Sequence, residues 1–232
     1  MRLALVLLLS IALPAAAQEG KAYGSGIISR IVLDGVAQVR LTQGQSDQPD
    51  QVFVPGGPEV QNAIEFHQSG SRVVITAGSS WKFWSASKTP VDVRVRDLQD
   101  LIISGASDVV AAERVKVERL RVNISGSGSV RFDDLQADQL RFEISGAGDG
   151  QLAGSVSDLR LGMSGKGKMV ADQLRAVRAN VSISGVGNAQ VWATDKLYIN
   201  VSGVGTVEYW GSPQVLRNTS GLATINPRGD KR

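Results

Sequence analysis

Hydrophobic and polar residues alternate in short runs between residues 99 and 225, and each run ends at a Ser-Gly pair. In the run before Ser145, Leu140, Phe142 and Ile144 are apolar and the residues between them are charged. An alternation with a period of two predicts a β-strand that buries one face, and no helical period occurs inside the runs. Each run is therefore expected to supply one strand with a defined inner side.

The Ser-Gly pairs recur at intervals of 18 to 21 residues. Their serines are Ser104, Ser125, Ser145, Ser164, Ser184, Ser202 and Ser220, and the glycines of the first six pairs are Gly105, Gly126, Gly146, Gly165, Gly185 and Gly203. A strand repeat of about 20 residues is typical of a solenoid, in which successive coils pair as parallel strands. A second apolar column follows the glycines and is interrupted at Gly150. The sequence therefore predicts an all-β fold, a single-stranded parallel β-helix.

We interpret each Ser-Gly pair as the bend that ends a strand. Glycine adopts positive φ without a steric penalty, and it lets the backbone of one coil lie close to the next. The serine hydroxyl can bond locally or to its counterpart in the next coil. A phosphate-binding loop would require a helix after the glycines, and none is predicted. The Ser-Gly pairs are accordingly assigned a structural role as turns.

The chain divides into four predicted segments. Residues 1–17 combine an early arginine, an apolar run and small residues before a polar position, which indicates a secretory signal peptide. Residues 18–100 contain strand-like runs without the clean repeat, and we predict that they form an N-terminal cap and irregular coils. Residues 101–226 form the regular coils, and residues 227–232 are a charged tail.

If the chain is exported as its signal predicts, its composition requires that it fold without covalent cross-links. No cysteine occurs, which excludes disulfides and a lipid attached to an N-terminal cysteine. A cleavable signal without a later apolar span predicts a location in the periplasm, or outside or on the surface of a Gram-negative bacterium. No integral membrane segment is expected after signal cleavage, and the sequence leaves the oligomeric state open.

The charge pattern argues against nucleic acid as a partner. The net charge is +3, from 25 basic and 22 acidic residues that are interspersed along the chain. Binding to nucleic acid would require a dense basic patch. A local exception is the outward column formed by Arg121, Arg141 and Arg160, with Glu143 and Asp158 nearby. This column is either a solvated face or a stripe for an anionic ligand.

Residue types that carry catalytic or metal chemistry are sparse. His67 is the single histidine, and it is expected on a turn or in the cap rather than in a site. No metal site or cofactor is predicted from one histidine and scattered acids. Eight residues after the serines, Asp133 and Asp172 fall two coils apart, whereas glycan cleavage needs carboxylates clustered on adjacent coils. A carbohydrate-processing enzyme, a polysaccharide lyase or hydrolase, is kept as the alternative function.

Aromatic residues form two clusters. Trp192 and Trp210 occupy the same column of neighbouring coils, and Tyr209 adjoins Trp210. The second cluster consists of Trp81, Phe83 and Trp84. Exposed aromatic side chains bind sugars or partner proteins. The alternative is that these rings close the ends or the groove of the coil stack. We predict both clusters as binding residues for a glycan or an envelope protein.

These features together resemble the bacterial family described as "putative auto-transporter adhesin, head GIN domain". The resemblance is carried by the SGxG copies in register, the exported N-terminus and the phrase RLTQG, and it covers about residues 25–225. It implies a right-handed β-helix and no defined chemistry. The first and last copies, SGASD and SGLAT, lack the second glycine. We expect a non-catalytic envelope or surface protein that uses a side face of the β-helix for adhesion, scaffolding or glycan or protein binding.

Overall fold

A computed structural model describes residues 19–24, 26–78 and 88–231. It is 73% strand and 2% helix, and its strands form a parallel β-solenoid of about six turns. The predicted all-β, coiled architecture is therefore confirmed. The predicted signal peptide and the cluster of Trp81, Phe83 and Trp84 lie outside the described residues.

The regular coils are built from long strands, each of which runs through most of one coil. These are β9 (Asp108–Ile124), β10 (Ser127–Ile144), β11 (Ala147–Met163), β12 (Lys166–Ile183) and β13 (Val186–Val201). The stack is completed by β14 (Val204–Trp210), β15 (Gln214–Thr219) and β16 (Leu222–Pro227). All of these strands pair in parallel with the equivalent strand of the next coil.

Irregularities in pairing divide each coil into two walls. In β10 the register shifts after Phe132, and regular pairing continues to Ile144. We call the part that follows each Ser-Gly pair the leading wall, residues 127–132 in this coil. The part that precedes the next pair is the trailing wall, residues 139–144. Residues of successive coils that pair in register form columns along both walls.

The interior is filled by apolar columns of the kind that the alternation predicts. The three inner columns of the trailing wall are all buried. They contain Leu120, Leu140, Leu159, Ala179 and Leu197, then Val122, Phe142, Leu161, Val181 and Ile199, then Ile124, Ile144, Met163, Ile183 and Val201. In the leading wall, the gap at Gly150 is filled by neighbours, because a Cβ atom there would lie 2.5 Å from Met169 Cε. Burial of these columns is the main source of stability.

The glycines of the Ser-Gly pairs are required by close packing between coils. A Cβ atom on Gly126 would lie 2.1 Å from the Gly105 carbonyl oxygen, and one on Gly185 would lie 2.0 Å from that of Gly165. The prediction that these bends need positive φ was wrong. The described glycines with positive φ, such as Gly154, do not include those of the Ser-Gly pairs. Glycine is needed at the bends because the adjacent coil leaves no room for a side chain.

The hydroxyl groups of the first two serines bond to the preceding coil. Ser104 Oγ donates to Asp34 Oδ1 at 2.9 Å, and Ser125 Oγ donates to the Ile103 carbonyl at 3.4 Å. Asp34 and Gly35 occupy the Ser-Gly position of that preceding coil, since a Cβ atom on Gly105 would meet Gly35 O at 2.2 Å. The structure thus contains a further copy of the bend that the sequence pattern did not reveal.

Ser107 stands where later copies have their second glycine. Its side chain is fully buried. Ser107 Oγ donates to the Gly35 carbonyl at 2.9 Å and accepts from the Ala37 amide at 3.1 Å. The missing second glycine in SGASD is therefore replaced by a hydroxyl that joins two coils.

The N-terminal part threads irregularly through the first coils. Its elements are β1 (Gly20–Tyr23), β2 (Arg30–Asp34), β3 (Ala37–Gln43), β4 (Gln51–Pro55), α1 (Pro58–Gln61), β5 (Ile64–Ser69), β6 (Arg72–Ala77), β7 (Thr89–Val95) and β8 (Asp100–Ile103). β2 lies between β6 and β8, and β3 lies between β7 and β9. β4 and β5 pair antiparallel with β7 and β6, and β1 pairs antiparallel with β4. Antiparallel strands therefore cover the N-terminal side of both walls, which limits pairing with other chains.

A buried carboxylate joins three N-terminal segments. The side chain of Asp50 is 0% exposed and accepts hydrogen bonds from the Ile28 amide at 2.6 Å and the Arg96 amide at 3.0 Å. Arg96 Nε donates a third bond at 2.9 Å. Its charge is thus paired and hydrogen-bonded, as a buried carboxylate requires.

We predict that Gly126→Val destabilises the protein by about 3 to 5 kcal/mol, because the side chain would force adjacent coils apart. Arg141→Ala, on the exposed side of the same coil, should change stability by less than about 0.5 kcal/mol. Thermal and urea unfolding of both variants measure this. The reverse order of effects would mean that the inner and outer faces are exchanged.

We also predict that Asp50→Ala costs about 3 kcal/mol, because it leaves the Ile28 and Arg96 amides and the Arg96 side chain without their partner. Asp47→Ala is the matched control, since Asp47 is exposed in the same loop. Urea unfolding should show a lower midpoint for Asp50→Ala alone. Equal midpoints for the two variants would contradict a structural role for Asp50.

Candidate functional site on the leading wall

An exposed column runs along the leading wall beside the Ser-Gly bends. Its members pair in register from coil to coil, and they are Ser127, Ala147, Lys166, Val186, Val204 and Leu222. The last three are large apolar residues, and they are 53%, 48% and 75% exposed. We call Val186, Val204 and Leu222 the apolar column.

The apolar column borders a shallow groove of about 930 Å³. On its other side lies a polar column, and between the two columns lie inward-facing glycines without side chains. The polar column contains Asp149, Lys168, Asn188, Thr206 and Thr224, and the glycines are Gly148, Gly167, Gly187 and Gly205. From Ala147 to Leu222 the groove crosses four coil steps, roughly 19 Å at a strand spacing of ~4.8 Å. This shape suits an elongated ligand.

The groove begins at an ion pair. Lys88 Nζ lies 2.5 Å from Asp108 Oδ2, and Ser129 Oγ donates to Asp108 Oδ1 at 2.7 Å. Burial raises the pKa of the Asp108 carboxyl, but hydrogen bonds from Lys88 and Ser129 more than offset this, and the net pKa lies below the ordinary aspartate value. This end of the groove is therefore charged but paired, whereas the apolar column lies at the other end.

The two tryptophans at the far end of the leading wall are neighbours, as their column position predicts. Trp192 pairs directly with Trp210, and both are half-buried. Lys231 Nζ lies 5.9 Å from the centre of the Trp192 ring and 5.0 Å from that of Trp210. The C-terminal tail therefore covers part of the aromatic surface that was predicted to bind a partner.

Tyr209 is separated from the tryptophans. It pairs with the buried Val191 and packs against the hydrophobic core. Because successive residues of a strand point to opposite faces, its ring lies on the other side of β14 from Trp210. The structure thus brings together Trp192 and Trp210 but not Tyr209. The role of Trp81, Phe83 and Trp84 stays a prediction, since they lie outside the described residues.

The arginine column on the trailing wall is balanced by acids. Arg121 Nη1 lies 3.3 Å from Asp100 Oδ1, and Arg141 Nε donates to Glu143 Oε1 at 2.7 Å. A groove of about 510 Å³ in this region is lined by charges of both signs. These are Asp97, Asp100, Glu118 and Asp158, with Arg119, Arg121, Arg141 and Arg160. The pairing favours a solvated face over a stripe for an anionic ligand.

Asp158 at this groove is held in its charged form. Arg178 donates two hydrogen bonds to its carboxylate, at 2.6 and 2.7 Å. Hydrogen bonding by Arg178 lowers the pKa of Asp158, and the Arg160 charge contributes a smaller lowering. Bidentate pairs of this kind fix geometry between coils.

His67 lies at an exposed position of β5, the antiparallel strand at the N-terminal side of the trailing wall. Its Nε2 atom lies 3.8 Å from Glu65 Oε2. Within residues 19–24, 26–78 and 88–231, no group of three or more histidine, aspartate or glutamate side chains is placed to hold a metal ion. In the same part of the chain, no helix has the length and apolar character needed to cross a membrane.

The stacked parallel coils, with glycines at their corners and buried apolar columns inside, define a β-solenoid protein. The sequence model of the family described as "putative auto-transporter adhesin, head GIN domain" matches residues 29–213. The chain belongs to this family. Its membership supports the adhesin-like class without naming a ligand or partner. No curated protein matches the chain.

Solved structures share the fold along nearly the whole chain. A protein described as a putative adhesin from Bacteroides fragilis has a TM-score of 0.81 at 22% identity, covering 92% of this chain and 98% of its own. A putative adhesin from Parabacteroides distasonis has a TM-score of 0.69 at 23% identity, covering 91% and 97%. A putative lipid binding protein from the same species scores 0.68 at 19% identity, again covering 91% and 97%. At such identities the likeness shows the fold alone.

The sequence did not single out the apolar column. A signal was nevertheless present, because the residue between the two glycines of SGxG changes from serine, alanine or lysine to valine in the later copies. The alternation along the leading wall fixes this position as outward-facing. Large apolar residues at outward positions of consecutive coils would have marked the surface.

Glu208 anchors the C-terminal tail and gives a pH-dependent prediction. Hydrogen bonds from Arg228 and then Gln190 lower the pKa of the Glu208 carboxyl. A lowered folded-state pKa contributes stability that is fully present above the unfolded-state pKa, about 4.3 for glutamate, and is lost as the pH falls through the folded-state value. Glu208→Gln should therefore have a lower melting temperature than wild type at pH 7, and the difference should vanish in acid.

Melting curves of wild type and Glu208→Gln between neutral pH and about pH 3 measure this difference. Asp195→Asn is the control, since Asp195 is an exposed carboxylate of the same coil as Gln190. A melting difference that is unchanged from neutral to acidic pH would show that the Glu208 charge does not hold the tail.

Proposed function

We propose that this protein is a non-catalytic protein of the cell envelope or cell surface that binds an extended glycan through the groove of its leading wall. The observation that carries the proposal is the exposure of Val186, Val204 and Leu222 at adjacent positions of three successive coils. Large apolar residues that adjoin one another in water mark binding surfaces.

The fold does not require these residues. At the same position, earlier coils have Ser127, Ala147 and Lys166, and those coils pair as regularly as the later ones. Packing of the interior therefore does not determine which residue type stands in this column. Its apolar character in the last coils is accounted for by contact with a partner rather than by folding.

The chemistry of the groove favours a sugar chain over a charged polymer. Beside the apolar column lie the neutral polar side chains of Asn188, Thr206 and Thr224. Amide and hydroxyl groups pair with sugar hydroxyls, and valine and leucine side chains can cover the apolar faces of sugar rings. Extension over several coils matches a chain of sugar units.

Two features support a location outside the cytoplasm. Residues 1–17 have the pattern of a secretory signal, and the family carries an adhesin description. A periplasmic or surface location would place the leading wall among the glycans of the Gram-negative envelope.

Binding to purified peptidoglycan and lipopolysaccharide tests the proposal, by cosedimentation and calorimetry respectively. Wild type should bind at least one of them, and Val204→Asp should weaken binding about 10-fold or more, because a charge would be buried in the contact. Val170→Asp is the matched control, since Val170 faces outward on the same wall but outside the groove. It should bind as wild type does.

Equal binding by the two aspartate variants would show that the groove is not the binding site. If wild type binds neither glycan, the choice of ligand is overturned. The same glycans, incubated with wild type and assayed for new reducing ends, test the enzymatic alternative. Reducing ends released above background would overturn a non-catalytic function.

A further inference from the structure

Three side chains from three successive coils meet at the far end of the leading wall. Trp192 in β13 and Trp210 in β14 are register partners. Asp172 lies in β12, where pairing with β13 is interrupted between Ala171 and Arg175. Residues 172–174 therefore have no register partners in β13, and Asp172 lies outside the regular ladder.

The space between these side chains is filled by a cation from the chain itself. Lys231 Nζ lies 2.7 Å from Asp172 Oδ2 and 5.0 and 5.9 Å from the two ring centres. The lysine and aspartate side chains are only 16% and 19% exposed. An ammonium group within about 6 Å of an indole face is attracted by the ring, and more strongly when water is excluded.

The segment that delivers the lysine is attached through the ion pair of Arg228 with Glu208 and through a set of hydrogen bonds. β16 ends at Pro227, and beyond it the Arg228 amide donates to the Tyr209 carbonyl at 2.8 Å. The Gly211 amide donates to the Gly229 carbonyl at 3.0 Å, and Ser212 Oγ donates to Asp230 Oδ1 at 2.9 Å. These bonds are close to the surface, so exchange of the tail with water is much less costly than opening a coil.

We infer that Asp172, Trp192 and Trp210 form a binding site for an organic ammonium group, and that Lys231 occupies this site in the absence of ligand. A carboxylate with two aromatic faces is the arrangement that recognises alkylammonium ions. The ligand class is a primary alkylammonium, because the present occupant is one and because its N–H groups bond to Asp172. Val204 and Trp210 are six residues apart along one strand, about 20 Å. The site is thus separate from the groove and independent of the proposed glycan binding.

A free ligand must compete with the tethered Lys231 side chain for the site. A group held on a short tether competes at an effective concentration on the order of millimolar. Lys231→Met keeps the length of the side chain but removes the charge. This variant should therefore bind a free alkylammonium ion at about 10-fold or more lower concentration than wild type does.

The indole N–H resonances of the four tryptophans provide the measurement, in ¹⁵N-labelled full-length protein. n-Butylammonium chloride is the probe, and sodium chloride at equal ionic strength is the blank. Signals of Trp192 and Trp210, assigned with Trp192→Phe and Trp210→Phe, should shift saturably in Lys231→Met. Lys116→Met, which removes an exposed lysine of β9, should behave as wild type.

Two further titrations test which chemical groups the site recognises. Asp172→Asn combined with Lys231→Met should weaken butylammonium binding about 10-fold or more, because the carboxylate is lost. Tetramethylammonium, which has no N–H group, should bind more weakly than butylammonium. Tighter binding of tetramethylammonium would overturn the primary amine as the ligand class.

Absence of a saturable shift in Lys231→Met up to about 100 mM probe, far above the effective concentration of the tether, would overturn the site and leave Lys231 as a structural clasp. If Lys231→Met melts well below wild type, the wild-type titration takes its place. In the wild-type titration, saturable shifts of both indole signals at up to about 100 mM butylammonium would support the site. The absence of such shifts would overturn it.

Discussion

The approach of one coil to the next at the Ser-Gly corner is the constraint on which the rest of the structure depends. At Gly126 and Gly185, the carbonyl oxygen of the preceding glycine occupies the place of a Cβ atom. Because no side chain fits there, the corners stack directly and the coils keep one register. A fixed register aligns identical positions from coil to coil, so that Leu140 lies beside Leu120 and Leu159. The continuous hydrophobic interior is thus a consequence of the glycine corners.

The same constraint separates residues that serve folding from residues that are free to vary. At the position after each corner glycine the side chain points outward, and the chain places Ser127, Lys166 and Leu222 there without disturbing the pairing. A solenoid of this kind is stabilised by contacts between neighbouring coils, so each coil can change its outer surface independently. The apolar column and the tryptophan pair both use this freedom, and both lie in the C-terminal coils.

Alternation and repeat length were sufficient to predict the architecture, because inner and outer faces of a strand follow directly from a period of two. They could not decide why glycine stands at the bends, since positive φ and close packing demand the same residue. The copy at Asp34 and Gly35 was hidden because aspartate replaces serine. The order of β2, β3, β6 and β7 depends on long-range pairing that no local pattern encodes. For the candidate site, counting residues placed Trp192 beside Trp210, but the contact of Lys231 with Asp172 spans 59 residues.

The two ends of the stack differ in the strands that form the edge of the sheet. At the N-terminal side, β1, β4 and β5 reverse direction, and the buried Asp50 fixes the connections between them. At the C-terminal side, the strands keep the parallel direction, and the inner columns pass into exposed residues such as Arg217. The antiparallel strands cover the edges of the first coils, whereas the parallel end carries the exposed apolar and aromatic side chains. Because each coil of a solenoid contacts only its neighbours, the last coils can carry such residues without changing the packing of the coils before them.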